Sequence, residues 1–291
     1  MPRPEPLPAQ LRLGPFRTHE ALLLGVPASR LRARDLHAPF HGIRTAQPPD
    51  GLVERCRAYS AGMPADHYFS HATAAQLWGL PVPSRVSADP RLHVSTPGRE
   101  PHGRGVVGHR ISSADVRFLE ELPVVAPADA WCQLGTAIPG DDLVAAGDRL
   151  LGWPRPLADE AEIDAAIDRF RGRRGARAVA LARRDLRRGS ASDRETRLRL
   201  LVVRAGFPEP EPNGPIELPG GRTTHGDLVF RRERTILEYD GDRHRTDRRR
   251  FRRDVDRLNA LAMAGWLVIR IHGGTPPAQV IDLLGAALAG R

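Results

Sequence analysis

The alternation of apolar and polar positions is clearest from Ser192 to the C-terminus. In "SDRETRLRLLVVRAG" the apolar residues recur at helical spacing. Ser192 stands at the N-cap, Glu195 follows three residues later as in a capping box, and Gly206 ends the helix. After a proline-rich loop, the short apolar runs "IEL", "GDLVF" and "TILEYDG" are typical of strands. The pattern predicts a capped helix followed by three strands.

The remaining C-terminal segment adds a helix and a strand. In "TDRRRFRRDVDRLNALAMAG", Phe251, Val255 and Leu258 recur at helical spacing and Gly265 ends the helix, while "WLVIRI" is an apolar run typical of a strand. Because a strand, a helix and a further strand form a crossover connection, we expect the last strand to lie parallel to "TILEY". Residues 191–291 therefore predict an α/β domain with a central mixed sheet.

Residues 17–45 predict the outline of a winged helix-turn-helix. Thr18 can cap a short helix, Pro27 can open a second one, and "FHGIRT" is typical of a short strand. The second helix carries a row of arginines: Arg30, Arg32 and Arg34. In a winged helix this second helix would lie in the major groove of DNA. A helical hairpin that only packs against the rest of the chain is the alternative.

The whole chain is predicted as an α+β protein of several domains. Residues 1–50 form the winged-helix-like region, 51–155 a mixed α/β middle region, 156–190 a basic helical linker, and 191–291 the C-terminal domain. Within the middle region "SHATAAQLWGL" predicts a capped helix, and "LHVSTPG" and "GVVGHRIS" predict strands. A length of 291 residues accommodates two or three domains.

Composition and charge add a candidate partner. The apolar fraction of 41% supports packed cores, and the net charge of +9 is compatible with a polyanion such as DNA. All 44 basic residues are arginine, because the sequence contains no lysine. A mechanism that needs a lysine therefore cannot operate here in its usual form.

Cysteine content and hydropathy indicate a cytoplasmic protein. Cys56 and Cys132 fit neither a metal-binding spacing nor a disulfide framework. The N-terminal "MPRPEPLPAQLRLG" has no apolar core that could serve as a signal peptide, and no run approaches the ~18 apolar residues of a membrane span. We therefore expect no membrane association.

Three carboxylates are expected to converge in the C-terminal domain. A four-residue loop between "GDLVF" and "TILEYDG" pairs Phe230 with Thr235, and the same register places Asp227 opposite Glu238. Side chains alternate along a strand, so Glu238 and Asp240 share a face. Unpaired carboxylates this close repel one another, and hard oxygen ligands suit Mg²⁺ or Mn²⁺. The sequence therefore predicts a divalent metal site at Asp227, Glu238 and Asp240.

These residues carry a resemblance to a known family. Asp227, the motif "EYDGDRHR", the pair Arg253 and Asp254, and the run "AGWLVIRI" together resemble the very-short-patch-repair-type endonuclease domain of the PD-(D/E)XK superfamily. The resemblance covers the last third of the chain and implies a restriction-endonuclease-like α/β domain. It implies a metal-dependent DNA endonuclease or nickase that uses Mg²⁺ or Mn²⁺.

The resemblance also implies further roles. Glu195 would belong to the metal site, and His244 would act as a proton shuttle, since an imidazole exchanges protons near neutral pH. Arg245 or Arg253 would contact phosphate. The chain departs from the wider superfamily at Asp240, which occupies the usual lysine position of the E-x-K motif. The related branch often lacks this lysine.

A second resemblance suggests an alternative function. A winged-helix-like start followed by "SHATAAQLWGL" resembles the antitoxin-type domain of abortive-infection type IV toxin–antitoxin systems. This resemblance implies DNA binding or regulation, with a second copy of the chain or a toxin as candidate partner. The alternative is therefore a non-catalytic DNA-binding regulator with a degenerate nuclease domain. A module that binds only other proteins is a third possibility.

Several motifs have simpler explanations. Glu195 can be a capping-box residue alone, and Glu238 and Asp240 can be a solvated strand end. The run "GRGVVG" matches a dinucleotide-binding motif, but no amphipathic helix follows it. His67 and His71 are four residues apart without an apparent third ligand, so the sequence does not predict a metal site there.

Overall fold

The computed structural model describes residues 5–240 and 248–290, and for residues 248–251 it describes the backbone only. The described residues divide into two compact units. The first unit comprises the residues up to Ile138 together with Ile163–Ala176. The second comprises Pro139–Glu162 and the residues from Arg177 onward. These units group the residues differently from the four predicted segments.

The first unit mixes short helices and strands. Its elements are β1 (Phe16–Arg17), α1 (Thr18–Leu23), β2 (Ile43–Arg44), α2 (Gly51–Ser60), β3 (Tyr68–Phe69), α3 (His71–Leu77), α4 (Ser84–Ser87), β4 (Leu92–Thr96), β5 (Val106–Arg110), β6 (Val116–Leu119), β7 (Leu122–Val125) and α5 (Pro127–Gln133). The strands β5, β4, β3, β7 and β6 form one sheet in that order, and β1 pairs with β2 separately. The predicted helix and both predicted strands of the middle region are confirmed as α3, β4 and β5.

Small residues allow helices to pack closely on this sheet. Phe69, Leu92 and Val124 are fully buried strand residues. Ala74 of α3 and Ala130 of α5 are buried in the same cluster. Burial of the strand side chains supplies the hydrophobic stabilisation of this unit. Both cysteines of the chain are free and buried here, so the expectation that they form no disulfide is confirmed.

The N-terminal region differs from its predicted outline in two respects. Helix α1 begins at Thr18 with Arg17 at its N-cap, so the prediction that Thr18 caps this helix is wrong. Helix α1 and the paired strands β1 and β2 are present. The segment expected as the second helix forms a short 3-10 helix, Arg30–Arg32, which continues into extended backbone at Ala33. Leu31 buries its side chain there with Phe16 and Val26. The predicted α-helix carrying the three arginines is therefore wrong in this place.

The second unit contains longer elements. These are α6 (Gly140–Leu150), α8 (Ala176–Asp185), α9 (Asp193–Arg204), β8 (Glu211–Leu218), β9 (Arg222–Phe230), β10 (Thr235–Asp240), α10 (Arg248–Met263), β11 (Leu267–His272) and α11 (Pro277–Ala289). Helix α7 (Glu160–Phe170) and the start of α8 lie where the two units divide. The segment from α9 onward confirms the predicted order of a helix, three strands, a helix and a strand.

The second unit is built around a mixed sheet. Its strands lie in the order β11, β10, β9, β8, with β10 parallel to β11 and the other neighbours antiparallel. Phe230 pairs with Thr235 across the hairpin, and Leu228 pairs with Leu237. The predicted hairpin register and the parallel last strand are both confirmed.

Helices cover both faces of this sheet because the strand residues alternate. Leu237 packs in a cluster with Leu198 of α9 and Leu284 of α11. Its neighbour Ile236 points to the other face and packs with Leu261 of α10. The residue that follows on the α10 side of β10 is Glu238. The apolar pattern of β10 therefore determines which helix this carboxylate meets. None of the described helices is long and apolar enough to cross a membrane.

Candidate functional site

The predicted acidic residues lie where the hairpin of β9 and β10 stops pairing. The ladder extends to Leu228 and Leu237. Beyond it, the side chain of Asp227 takes the place of a backbone acceptor, because its Oδ2 accepts a hydrogen bond of 2.8 Å from the backbone N–H of Tyr239. We call Asp227, Glu238 and Asp240 the acidic site. Asp227 is thereby fixed to β10, at the strand that carries the other two carboxylates.

The surroundings of Asp227 disfavour the ionised form of its carboxyl group. Burial raises its pKa from 3.8 to about 6, and the negative charge of Glu195 adds to this rise. The hydrogen bond from Tyr239 and the positive charges of Arg257 and Arg270 oppose the rise without cancelling it. An ionised Asp227 is therefore held in a place that disfavours its own charge.

Glu238 is paired with an arginine of α10. Its side chain is buried, and both carboxylate oxygens accept hydrogen bonds from Nη2 of Arg257, at 2.8 and 2.7 Å. Burial raises the pKa of Glu238, while Arg257 acts in the opposite direction and Asp227 adds to the rise. The arginine thus supplies the positive charge that an isolated buried carboxylate would lack.

Asp240 is held by a second arginine. Arg270 Nη2 lies 3.0 Å from Oδ2 of Asp240, and Arg270 Nη1 lies 3.1 Å from Oδ2 of Asp254 on α10. Asp254 also lies 3.6 Å from the Nη2 atom of Arg257. Carboxylates and guanidinium groups therefore alternate from Glu238 to Asp240, which is a favourable arrangement for a partly exposed network.

The expected convergence of the three carboxylates is not found. In the parts of the chain that the structure describes, Asp227, Glu238 and Asp240 do not form a group whose ligand atoms all lie within 4.8 Å of one another. The physical reason is the alternation with arginine, which neutralises Glu238 and Asp240 separately. The negative charge of Asp227 still acts on Glu238 and contributes to raising its pKa.

Glu195 has a structural role at the start of α9. Its backbone N–H donates to Oγ of Ser192, which confirms Ser192 as the N-cap, while the return bond of the predicted capping box comes from the backbone of Ala191 and not of Ser192. Its carboxylate accepts hydrogen bonds from the backbone N–H of Ala191 and from Nδ2 of Asn213, at 2.8 and 2.9 Å. The carboxylate of Glu195 is thus fixed by hydrogen bonds, and it acts on Asp227 through its charge.

The other predicted residues belong to other segments of the sequence. His244 and Arg245 lie outside the described residues. Arg253 is exposed on α10. The N-terminal arginines Arg30, Arg32 and Arg34 belong to the first unit.

Arg30 is engaged within its own region. Its Nη1 and Nη2 atoms donate to both carboxylate oxygens of Asp35, at 2.9 and 2.8 Å, and its Nε donates to the backbone carbonyl of Glu5. Arg32 and Arg34 are exposed. The three arginines therefore do not present one row along a helix, as the sequence predicted.

Arg270 was missed by the sequence analysis, and Arg257 was not assigned to the site, although its spacing from Asp254 predicted a helical ion pair between them. Arg270 is a lone basic residue in the apolar run "WLVIRI", and the parallel register places it beside Glu238. Arg257 lies three residues after Asp254, a spacing at which helical side chains meet. A charged residue inside an otherwise apolar strand was the signal that could have identified Arg270.

A different group of possible metal ligands lies in the first unit. His71, His93 and His109 bring one ligand nitrogen each to within 4.8 Å of the other two. The sequence offered His67 as the neighbour of His71 and showed no third ligand, whereas the structure groups His71 with two other histidines. Its neighbours come from β4 and β5 rather than from His67, and nothing in the local spacing of the sequence indicates that the three rings meet.

Comparison with known proteins gives two relatives. The chain is 28% identical over 235 residues to "Uncharacterized protein MT2308" of Mycobacterium tuberculosis strain CDC 1551 / Oshkosh. The aligned region covers 80% of this chain and 83% of the relative. It is similar to the same degree to "Uncharacterized protein Rv2248" of strain ATCC 25618 / H37Rv. No family model and no solved structure matches the chain. Because 235 residues exceed either compact unit, the similarity extends over parts of both.

Proposed function

We propose that the second unit is a metal-dependent DNA endonuclease or nickase centred on Asp227 and Glu238. The observation that carries this proposal is the carboxyl group of Asp227, whose surroundings disfavour its ionised form. It is buried, it lies near the negative charges of Glu195 and Glu238, and its pKa is raised to about 6. Perturbed carboxylates of this kind are concentrated at functional sites.

The donor set of Asp227 and Glu238 fits a hard divalent cation. Mg²⁺ is commonly bound through one or two carboxylates together with waters and substrate phosphates. Asp227 and Glu238 would hold Mg²⁺ or Mn²⁺, and the cation would supply an activated water and neutralise charge on a phosphodiester. Glu238 and Asp240 are both bonded to arginines, but only Glu238 interacts with the charge of Asp227, so Asp240 does not take part as a ligand in this proposal.

The arginines give the site a way to bind the substrate. Arg257 and Arg270 orient Glu238 and Asp240 through the hydrogen bonds described above. A guanidinium group binds phosphate through the same planar donors with which it binds carboxylate. Phosphates of DNA are therefore natural competitors for these donors, and the net charge of +9 favours such a polyanion.

A second candidate function is a DNA-binding regulator that does not cleave. One specific observation favours it, namely that Glu238 and Asp240 already have arginine partners. The sequence also lacks the lysine that the wider PD-(D/E)XK superfamily uses. In this alternative the ion pairs stabilise the fold, and exposed arginines bind DNA without cleaving it.

Nicking of supercoiled plasmid in Mg²⁺ or Mn²⁺ tests the proposal. The variants are Asp227→Asn and Glu238→Gln, which remove charge with little change in shape. Glu217→Gln, on an exposed position of β8, is the matched control for loss of one negative charge.

We expect metal-dependent nicking in the wild type and in Glu217→Gln, and its loss in both site variants. No nicking by the wild type with either metal, together with salt-sensitive DNA binding that the site variants retain, would replace the nuclease with the regulator.

A further inference from the structure

Three histidines of the first unit meet although they come from separate parts of the chain. His71 is the first residue of α3, His93 lies on β4 and His109 lies on β5. One ligand nitrogen of each ring lies within 4.8 Å of those of the other two. Within residues 5–240 and 248–290, no other group of three or more histidine, cysteine, aspartate or glutamate side chains meets in this way. We call these residues the histidine triad.

Neighbouring elements determine the arrangement of the triad. The parallel strands β4 and β5 place Nδ1 of His93 2.9 Å from Nε2 of His109. The ring of His71 stacks on that of His109, with centroids 3.6 Å apart and planes inclined by 17°. The backbone N–H of His71 donates to Oε1 of Gln133 at the end of α5, at 2.7 Å. The triad is therefore held from two helices and two strands.

The backbone of His71 has a conformation that is disfavoured for residues other than glycine. Its φ angle is 49°, in the left-handed region that few residues other than glycine adopt. Such conformations are disfavoured, and they are concentrated at functional sites. The ring Nδ1 lies 3.0 Å from Oγ of Ser70, so Nε2 is the nitrogen left for a further partner.

The charge state of the triad suits metal binding. Burial lowers the pKa of all three histidines, to about 4 for His93, and neighbouring rings lower those of His71 and His93 further. The imidazoles are therefore neutral at neutral pH, the form that offers a lone pair to a metal. The charged side chains that act on the triad are of both signs: Asp89, Glu100, Arg91 and Arg173.

We propose that His71, His93 and His109 bind one divalent transition-metal ion of the zinc type. Imidazole nitrogen suits Zn²⁺, Cu²⁺ and Ni²⁺, whereas Mg²⁺ and Ca²⁺ require oxygen ligands. Three histidines leave a fourth position for water or a small ligand, as in catalytic zinc sites. The triad therefore differs from the acidic site both in its residues and in the class of ion.

Metal binding requires a small rearrangement of the rings. At a Zn–N distance of about 2.0–2.1 Å, tetrahedral ligand nitrogens are roughly 3.3 Å apart. The ligand nitrogens of His93 and His109 have to separate from 2.9 Å, and both rings have to tilt so that their lone pairs converge on one ion instead of facing each other. One nitrogen of that pair now carries the shared hydrogen. This hydrogen moves to the other nitrogen of the same ring, so both lone pairs face the metal without net loss of a proton.

Competition with a chromogenic zinc chelator tests the proposal on the full-length protein. The variants are His109→Ala and His93→Gln, and far-UV circular dichroism checks that each is folded. The matched control is His102→Ala, an exposed histidine of the same unit. We expect one Zn²⁺ per wild-type chain, a loss of affinity of at least about 100-fold in both triad variants, and no change in the control.

Co²⁺ absorption supplies a second readout that needs no variant. Co²⁺ bound by three nitrogens and a water gives visible d–d bands that oxygen-only sites in octahedral geometry show only weakly. Absence of these bands and of Zn²⁺ binding in the wild type would overturn the proposal. It would equally be overturned by Zn²⁺ binding that survives unchanged in His109→Ala and His93→Gln, because the ion would then lie elsewhere.

Discussion

Neutralising Asp227 should stabilise the protein at neutral and alkaline pH. The carboxyl group is buried near the charge of Glu195, and its pKa is about 6 in the folded chain. The substitution Asp227→Asn removes the charge and retains an oxygen that can accept the hydrogen bond from the backbone of Tyr239. The substitution therefore removes the unfavourable burial of a negative charge and preserves the hydrogen bond from the backbone of Tyr239.

The size of the effect follows from the pKa. A rise from 3.8 to about 6, at about 1.4 kcal/mol for each pKa unit, corresponds to about 3 kcal/mol. Between these two values the folded state binds more protons than the unfolded state, so the stability of the wild type falls as pH rises through this range. We expect Asp227→Asn to gain up to about 3 kcal/mol above pH 7, and this gain to disappear as pH falls towards 4.

Amide hydrogen exchange measured by mass spectrometry is the suitable assay. It reports the free energy of opening for peptides of β9 and β10 and does not require the two units to unfold together. The exposed substitution Glu217→Gln on β8 controls for the loss of one negative charge, and we expect it to change the opening free energy by less than about 0.5 kcal/mol.

Two results would refute this reasoning. One is a lower opening free energy for Asp227→Asn than for wild type at pH 8. The other is a gain that is the same at pH 8 and at pH 4, because a pH-independent gain cannot arise from the titration of Asp227. A variant that is more stable than wild type but no longer nicks DNA would also show that the activity is lost through chemistry and not through unfolding.

Two further predictions concern the stability of the second unit. Arg199→Met leaves Asp148 buried without its guanidinium partner at 3.0 Å, so we expect a loss of about 3–5 kcal/mol in urea unfolding, largely recovered by adding Asp148→Asn. Gly226→Ala places a methyl group 2.6 Å from Cγ2 of Ile236, so we expect a loss of about 1–3 kcal/mol in the same measurement. Gly140→Ala, which meets no atom within 4 Å, is the control.

Local patterns were sufficient to predict the elements from α9 to β11, whereas the last helix, α11, was not predicted. The N-cap at Ser192, the hairpin loop before Thr235 and the parallel strand after α10 were all predicted from spacing. These features depend on residues close in sequence or on the strict alternation of a strand. The N-terminal region has weaker periodicity, and there Arg30–Arg32 formed a 3-10 helix where an α-helix was expected.

The partners of the carboxylates could not be predicted in the same way. Which cation meets Glu238 depends on how α10 turns its side chains towards β10, and this is decided by the packing of Ile236 against Leu261. Arg257 and Arg270 come from two elements distant in sequence from Asp227. The histidine triad could not be predicted for the same reason, since its residues come from the start of a helix and from two strands.

The absence of lysine restricts which residues could transfer a proton during DNA cleavage by this chain. The lysine position is filled by Asp240, which is bonded to Arg270, and an arginine keeps its proton throughout the working pH range. At the acidic site, Asp227 has a pKa of about 6, so it can change protonation there. Binding of a cation favours its ionised form and releases that proton. Metal affinity of the acidic site should therefore weaken as pH falls through 6 in the wild type, and this dependence should be lost in Asp227→Asn.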